Sequence, residues 1–324
     1  MACPYTVAQK RQLWEQLALR AIRALPLPDD IEEFWTTITL PDGWESRTKV
    51  TRPKTNAPGE RRPLIVYLYG ASYVAGTPNM VTRPARDFAS EMGAVVVAPS
   101  YKLAPEAPWP APLHSVWEVL VHLSRHAERD FGASLDDGFV VGGLSAGANA
   151  AAVAWGIETL SNSGDSAVEK LEKLEKPITG LFLNCPFLLA EEIVPHEYRD
   201  VWTSRTENAH SKPLDTAAVE KGLRYLNTDA SSPWYSPIGV LASLTKAPRR
   251  GPSFFIQVGR LDPVRDDGVV LKKMLSSRGF PTLLHVLPED GHVAWVSMPW
   301  PTNSTNPTVG ESTIAGMKWL LREA

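Results

Sequence analysis

Six short apolar runs, each bounded by glycine and proline, recur along the chain. They occupy residues 63–70, 94–100, 138–143, 178–186, 253–259 and 282–288. Apolar runs of this length predict strands that are buried on both faces of a sheet. Helical patterns lie between several of them or follow the last one, at residues 81–93, 114–131, 146–160, 266–279 and 312–324. Strands that alternate with helices predict an α/β fold with a mostly parallel central sheet and helices on both faces.

Two segments lie outside this alternation and predict a helical cap. Residues 188–250 are rich in proline, tryptophan, tyrosine and charge and contain no clear strand. Near the N-terminus, apolar residues recur at the spacing of an amphipathic helix: Leu13, Trp14, Leu17, Ala18, Ile22 and Leu25. Such a helix is more often a packed element than a membrane anchor. We expect four segments: 1–50 (N-terminal cap helix and lead-in), 51–187 (first part of the core), 188–250 (cap insertion) and 251–324 (second part of the core).

Composition excludes several classes of partner. The 324 residues suit one α/β core with a smaller cap. A net charge of -3 gives no basic field for nucleic acid or anionic lipid. The N-terminal segment has neither a signal peptide's apolar run nor the roughly 20 residues of a membrane span, so we expect no stable membrane insertion. We expect the sequon at Asn303 to be unused if the chain never enters the secretory path. The composition leaves open whether the chain forms a homodimer.

The two cysteines predict neither a disulfide framework nor a zinc site. Cys3 and Cys185 have no CxxC pattern and no neighbouring cysteine–histidine cluster. A chain with this cysteine usage is typical of a reducing compartment, so we expect a cytoplasmic protein. The sequence predicts no metal and no organic cofactor.

A candidate nucleophile stands between a predicted strand and a predicted helix. Gly143, Ser145 and Gly147 form a GxSxG pattern there. A serine on so tight a turn leaves no room for side chains two residues away, and the helix start offers N–H groups to a developing oxyanion. The pattern alone is weak, because a glycine-rich strand-to-helix turn with a structural serine looks the same.

A serine nucleophile needs a base and an acid that orients the base. Asp262 directly follows one late apolar run and His292 follows the next, which gives the order Ser, Asp, His found in α/β-hydrolases. The other histidines lie in predicted helices, in a strand or in the polar insertion. Asp262 is the favoured acid because it ends a strand. Four alternatives fit a helix start or a solvated loop and stay open: Asp266, Asp267, Glu289 and Asp290.

Four motifs in this order resemble the hormone-sensitive-lipase-like esterases of the α/β-hydrolase fold. They are SYKLAPEAPWPAPL (100–113), GLSAGAN (143–149), DPVRDDG (262–268) and GHVAW (291–295), and the resemblance covers roughly residues 60–320. It implies an α/β-hydrolase core with a helical cap. It also implies Ser145 as nucleophile, His292 as general base, Asp262 as its orienting partner and Glu106 as a buried carboxylate behind the site.

The segment Tyr69-Gly70-Ala71-Ser72 aligns with the family's His-Gly-Gly-Gly oxyanion loop, of which it keeps one glycine. By resemblance, the oxyanion donors are the backbone N–H groups of Ala71, Ser72 and Ala146, which do not depend on side-chain identity. At positive φ, either substituted residue would cost on the order of 1 kcal/mol. Tyr69 either braces the loop, as the family's histidine does, or faces the substrate.

The elbow departs from the family as well. Leu144 replaces an aspartate and Ala148 replaces a glycine. These replacements bear on rate and substrate choice more than on the nucleophile itself.

These residues predict a serine carboxylesterase that cleaves a small or medium apolar ester through an acyl-enzyme. Two alternatives use the same fold: an acyltransferase or cyclase acting on a specialised metabolite, and a non-catalytic receptor similar to the plant gibberellin receptors. The receptor is disfavoured because Ser145, Asp262 and His292 are all retained. Some of the six tryptophans that lie mostly in cap or loop segments are candidates to line an apolar pocket, although each alone is more often ordinary packing: Trp109, Trp155, Trp202, Trp234, Trp295 and Trp300.

Overall fold

The computed structural model describes residues 6–54, 62–249, 251–292 and 308–323. Its strands are β1 (Ile31–Thr39), β2 (Glu45–Pro53), β3 (Leu64–Leu68), β4 (Val95–Pro99), β5 (Phe139–Leu144), β6 (Gly180–Asn184), β7 (Ser253–Gly259) and β8 (Thr282–Leu287). They form one sheet in the order β1-β2-β4-β3-β5-β6-β7-β8. The pairs from β4 to β8 are parallel, while β1 and β2 add antiparallel pairs at one edge. The predicted α/β fold with a mostly parallel sheet is confirmed.

β1 and β2 escape the apolar pattern that predicts the other six strands. Both carry several charged residues, including Glu33 and Lys49, and β1 buries only part of its length. An antiparallel strand can pack one face on the core and leave the other face solvated, so it lacks the continuous apolar run of a central parallel strand. The predicted lead-in therefore contains a two-stranded hairpin, and position 50 lies inside β2.

Helices cover both faces of the sheet. The α-helices in the described part of the chain are α1 (Val7–Arg23), α2 (Thr82–Met92), α3 (Ala111–Phe131), α4 (Ala146–Ser163), α5 (Ser204–Glu207), α6 (Thr216–Leu226), α7 (Ile238–Ser243), α8 (Arg265–Ser277) and α9 (Thr308–Glu323). Neighbouring residues of β7 point to opposite sides: Phe254 packs edge-on against Trp155 of α4, whereas Phe255 abuts Gly316 of α9. Strand alternation thus builds two apolar layers from adjacent phenylalanines.

Helix α1 begins where its sequence provides a capping box. The Thr6 side chain accepts from the Gln9 backbone N–H, and the Gln9 side chain accepts from the Thr6 backbone N–H. This exchange satisfies two N–H groups that the helix itself leaves without partners. In the described residues, no helix is both long enough and apolar enough to cross a bilayer.

The segment between β6 and β7 contains α5, α6 and α7 and is anchored to α8 by two buried aspartates. Asp266 Oδ2 accepts from the backbone N–H groups of Thr203 and Ser204 at 2.8 and 2.7 Å. Asp267 Oδ2 accepts from the N–H groups of Leu188 and Leu189 at 2.8 and 3.0 Å. These bonds hold the segment against the carboxyl edge of the sheet.

Candidate active site

Ser145 occupies the turn between β5 and α4 with φ at 56°. A Cβ at Gly143 would lie 2.4 Å from the Gly147 carbonyl carbon, and a Cβ at Gly147 would lie 2.3 Å from the Leu68 oxygen. Neither distance admits a side chain, so both glycines of the GxSxG pattern are sterically required. The turn presents the serine at the carboxyl edge of the sheet.

A continuous hydrogen-bond chain joins Ser145, His292 and Asp262, which the sequence predicts to be the nucleophile, the general base and its orienting acid. His292 Nε2 lies 2.8 Å from Ser145 Oγ, and His292 Nδ1 lies 2.8 Å from Asp262 Oδ2. Asp262 is fully buried, and its other oxygen accepts from the Val264 N–H at 2.9 Å. Because the carboxylate can only accept, Nδ1 carries the imidazole proton and Nε2 is left to accept from the serine.

Two of the four competing acids serve the fold rather than the histidine. Asp266 and Asp267 lie in the first turn of α8 and hold the backbone of the segment between β6 and β7. Both ring nitrogens of His292 are already engaged by Ser145 and Asp262. The structure therefore brings Asp262, and neither of these two aspartates, to the histidine.

The loop that follows β3 holds three consecutive non-glycine residues at positive φ: Ala71 at 96°, Ser72 at 52° and Tyr73 at 59°. Gly70 is retained for space, because a Cβ there would lie 2.8 Å from the Leu144 oxygen. The backbone N–H groups of Ala71, Ser72 and Ala146 donate to no group in the part of the chain that the structure describes. All three residues line the same cavity as Ser145. We call residues 69–76 the oxyanion loop, after the family segment with which Tyr69-Gly70-Ala71-Ser72 aligns.

Tyr69 braces this loop from behind. Its side chain is buried, and its ring stacks on Tyr101 with centroids 4.3 Å apart. The Tyr101 hydroxyl donates to the Tyr69 carbonyl at 2.7 Å. Burial raises the pKa of the Tyr69 phenol well above its usual value, so the hydroxyl stays protonated. Of the two roles that the sequence left open, the structure supports the brace.

Tyr73 and Asn149 form a second brace that the sequence reasoning missed. The Tyr73 hydroxyl lies 2.5 Å from Asn149 Oδ1 and 2.8 Å from the Ala146 carbonyl. The Asn149 amide donates to the carbonyls of Phe187 and Tyr235. The available signal was the asparagine that closes the GLSAGAN motif. The contact ties the oxyanion loop to the first turn of α4.

Cys185 lies next to Asp262 and His292. Each of these three side chains offers one atom of a type that can bind a metal, and the three atoms lie within 4.8 Å of one another. Both His292 nitrogens and both Asp262 oxygens already take part in hydrogen bonds of the site. A metal there would have to break the bond between His292 and Asp262.

Comparison with known families decides the fold family. A family model described as the alpha/beta hydrolase fold matches residues 65–296, well over half of the chain. The chain belongs to this family. Within it, the chain lies in the hormone-sensitive-lipase-like branch that the sequence motifs resemble.

Individual relatives of this α/β-hydrolase include an esterase. An AB hydrolase superfamily protein of Schizosaccharomyces pombe is 27% identical over 297 residues, covering 92% of this chain and 82% of the relative. Esterase LipI of Mycobacterium tuberculosis is 27% identical over 246 residues, covering 74% and 67%. The solved structure of vibralactone cyclase matches with a TM-score of 0.82 at 22% identity, covering 100% of this chain and 91% of that one. The structural likeness concerns the fold; by family and relatives, the chain is a carboxylesterase-like hydrolase.

The exposure of Glu106 in this hydrolase differs from what the sequence motif implies. The family resemblance implies a buried carboxylate behind the site, but the Glu106 side chain is 67% exposed and pairs with Arg11 of α1 at 2.7 Å. Its hydrogen bond with Arg11 lowers the pKa of the carboxyl. The segment turns its aromatic side, through Tyr101, toward the core instead. The glutamate therefore faces the N-terminal helix, whose position the motif does not encode.

A cavity of about 660 Å³ opens beside Ser145 and His292. Its walls come from the oxyanion loop, from α1 through Val7, Lys10 and Trp14, and from most residues of α6. Most of the side chains that line it are apolar. Such a cavity suits an apolar substrate with a few polar groups.

The tryptophans divide between cavity and core. Trp109 lines the cavity, whereas Trp155 is buried beneath the sheet. Trp202 and Trp234 pack against the core at partial burial and do not line the cavity. Two others and the sequon residue lie outside the described residues: Trp295, Trp300 and Asn303.

Proposed function

We propose that the chain is a serine carboxylesterase that cleaves small or medium apolar esters through an acyl-enzyme intermediate. The observation that carries this proposal is the hydrogen-bond chain from Ser145 through His292 to Asp262. A receptor that only binds its ligand has no need of this alignment, because such a hydrogen-bond chain serves proton transfer. The apolar cavity beside Ser145 supports the substrate class.

In the first half-reaction, Ser145 Oγ attacks the ester carbonyl while His292 Nε2 takes the hydroxyl proton. The carbonyl π electrons move onto oxygen, and the N–H groups of Ala71, Ser72 and Ala146 stabilise the resulting oxyanion. Collapse of this intermediate expels the alcohol, which receives the proton from His292. Asp262 stays ionised and holds the imidazole in the reactive tautomer.

In the second half-reaction, His292 takes a proton from water, whose oxygen attacks the acyl carbon. The oxyanion forms again in the same place, and Ser145 leaves with the proton that His292 returns. The products are the free acid and the regenerated enzyme. An acyltransferase or cyclase would replace this water by an alcohol, from a second molecule or from the acyl chain itself.

The test is hydrolysis of p-nitrophenyl esters from acetate to decanoate by wild type, Ser145→Ala, Asp262→Asn and Asp266→Asn. We expect Ser145→Ala to lose several orders of magnitude in kcat and Asp262→Asn nearly as much. Asp266→Asn keeps most of the kcat of the folded enzyme. For wild type, kcat/KM rises by up to about fourfold per methylene while the chain still fits, because each buried methylene contributes about 0.8 kcal/mol.

Two further measurements separate the alternatives. A fluorophosphonate probe labels the wild type at Ser145, and an unlabelled serine in folded protein would overturn both catalytic readings. Release of free acid is then measured with and without added alcohols. Ester products in place of free acid would favour the transferase.

A further inference from the structure

The guanidinium group of Arg11 in α1 forms hydrogen bonds to the oxyanion loop and to residues 104–106. Nε donates to the Val74 carbonyl at 2.8 Å, and Nη2 donates to the Ala104 carbonyl at 2.7 Å. Nη1 and Nη2 also bind the two oxygens of Glu106, at 3.0 and 2.7 Å. The planar fork is therefore fixed at three points, which a lysine with a single nitrogen could not reproduce.

The two carbonyls belong to the frame of the oxyanion loop. The Val74 N–H donates to the Ala71 carbonyl at 3.1 Å, so Val74 closes the turn that contains Ala71 and Ser72. The Ala104 N–H donates to the Tyr73 carbonyl at 2.8 Å, so Ala104 holds the same turn from its other side. Arg11 thus binds the two residues, Val74 and Ala104, that hold a turn whose backbone lies at positive φ. Backbone in this region persists only where its surroundings enforce it.

The same helix forms a wall of the cavity. Val7, Lys10 and Trp14 line the cavity from one side of α1, at the i, i+3, i+7 spacing of a helical face. Arg11 follows Lys10 directly and reaches the loop instead. One rigid element therefore contacts the substrate cavity and the oxyanion loop together.

We propose that Arg11 is a positioning residue that fastens α1 to the oxyanion loop and keeps the Ala71 and Ser72 N–H groups aimed at the developing oxyanion. Glu106, which is exposed, orients the guanidinium and contributes little binding energy of its own. This inference rests on the proposed esterase function. It assigns a task in the transition state to a residue that lies outside the cavity and contacts no reacting atom.

The experiment compares Arg11→Ala and Arg11→Lys with Arg20→Ala, a matched control because Arg20 is an exposed arginine on the same helix. We measure kcat and KM for p-nitrophenyl butyrate, and the Ki of an alkyl trifluoromethyl ketone, which binds as an oxyanion adduct of Ser145. For Arg11→Ala we expect kcat to fall by about 10-fold to 100-fold, with KM within threefold of wild type. The Ki rises by a similar factor. The kcat of Arg11→Lys lies closer to that of Arg11→Ala than to that of wild type on a logarithmic scale. Arg20→Ala has the kcat, KM and Ki of wild type.

A helix that merely stabilises the fold would give a different result. The inference is overturned if Arg11→Ala lowers the melting temperature while kcat and Ki stay within twofold of wild type, or if only KM rises. Should Arg11→Ala fail to fold, Arg11→Lys carries the comparison, because lysine keeps the charge but loses the planar fork, and kcat and Ki within twofold of wild type would then overturn the inference. Failure of the proposed function is distinguishable: Ser145→Ala would then hydrolyse the ester as fast as wild type, whatever Arg11 does.

Discussion

Ala71 holds its methyl group in a backbone conformation that suits glycine, with φ at 96°. Ala148 also stands where the family has glycine, but it lies in the first turn of α4, where alanine is preferred. The two alanines therefore replace glycine under opposite backbone conditions. A glycine restored at each position reports the local conformation directly.

We expect Ala71→Gly to raise the free energy of unfolding by about 0.5 to 1 kcal/mol, because relief of the positive-φ strain exceeds the entropy cost of glycine. Ala148→Gly lowers the free energy of unfolding by about 1 kcal/mol. Urea denaturation monitored by circular dichroism measures both variants. Changes of the same sign at the two positions would contradict the strain described for the oxyanion loop.

At the scale of one element, α4 carries an acid that is buried far from Ser145, the N-cap residue of the helix. Glu158 is 7% exposed, and its Oε1 accepts from the Ile178 N–H at 3.1 Å, just ahead of β6. Burial raises the pKa of Glu158 to about 7, although the bond from Ile178 opposes the rise. In the unfolded chain, the same group titrates near 4.5. Between these values, the folded protein binds more protons than the unfolded one.

The free energy of unfolding therefore falls as the pH rises from about 4.5 to about 7, and it levels off above that. We expect Glu158→Gln to remove this slope and to be more stable than wild type at pH 8 by on the order of 2 kcal/mol. Urea denaturation at half-unit steps of pH provides the measurement. Exposed Glu169→Gln is the control and keeps the slope of wild type. A Glu158→Gln profile parallel to that of wild type would refute the assignment.

At the scale of the whole molecule, a buried ion cluster fastens the N-terminal hairpin of β1 and β2 to helix α2. Glu33 of β1 lies 2.8 Å from Arg86 of α2 and 3.2 Å from Lys49 of β2, and the three side chains are at most 11% exposed. Burial alone would raise the pKa of Glu33, but the Arg86 hydrogen bond and the charge of Lys49 outweigh it and lower the pKa. The stabilisation is therefore present above about pH 4.5 and is lost as the pH falls through the lower, folded-state value.

We expect Glu33→Gln to lower the free energy of unfolding by about 2 to 4 kcal/mol at pH 7, because it leaves two buried cations without their carboxylate. Glu32→Gln is the matched control on the same strand, since its partner Arg52 is partly exposed, and it costs less than about 1 kcal/mol. Urea denaturation at pH 7 and at pH 3 checks both variants. Equal losses in the two variants at pH 7, or a Glu33→Gln loss that persists undiminished at acidic pH, would contradict this account.

Sequence by itself determined those features that depend on short-range sterics and on strand order. Gly143 and Gly147 are dictated by the turn that presents Ser145. Asp262 and His292 meet this serine because the carboxyl ends of parallel strands share one edge of the sheet. Six of the eight strands were readable from their apolar runs. Five of them are central and buried throughout, as a strand covered on both faces must be, whereas β8 lies at the edge of the sheet and is only partly buried, which its apolar run did not predict.

Tertiary structure decided whatever depends on segments that are distant in the chain. The motif around Glu106 has the same sequence whether this side chain is buried or exposed. Only the position of α1 brings Arg11 to it. Tyr69 braces the oxyanion loop because Tyr101 offers a ring to stack on. β2 is a strand because β4 offers it an edge, and β1 in turn pairs with β2, although the polar pattern of neither segment requires it. Each outcome is set by a long-range contact whose partner leaves no signal in the local sequence.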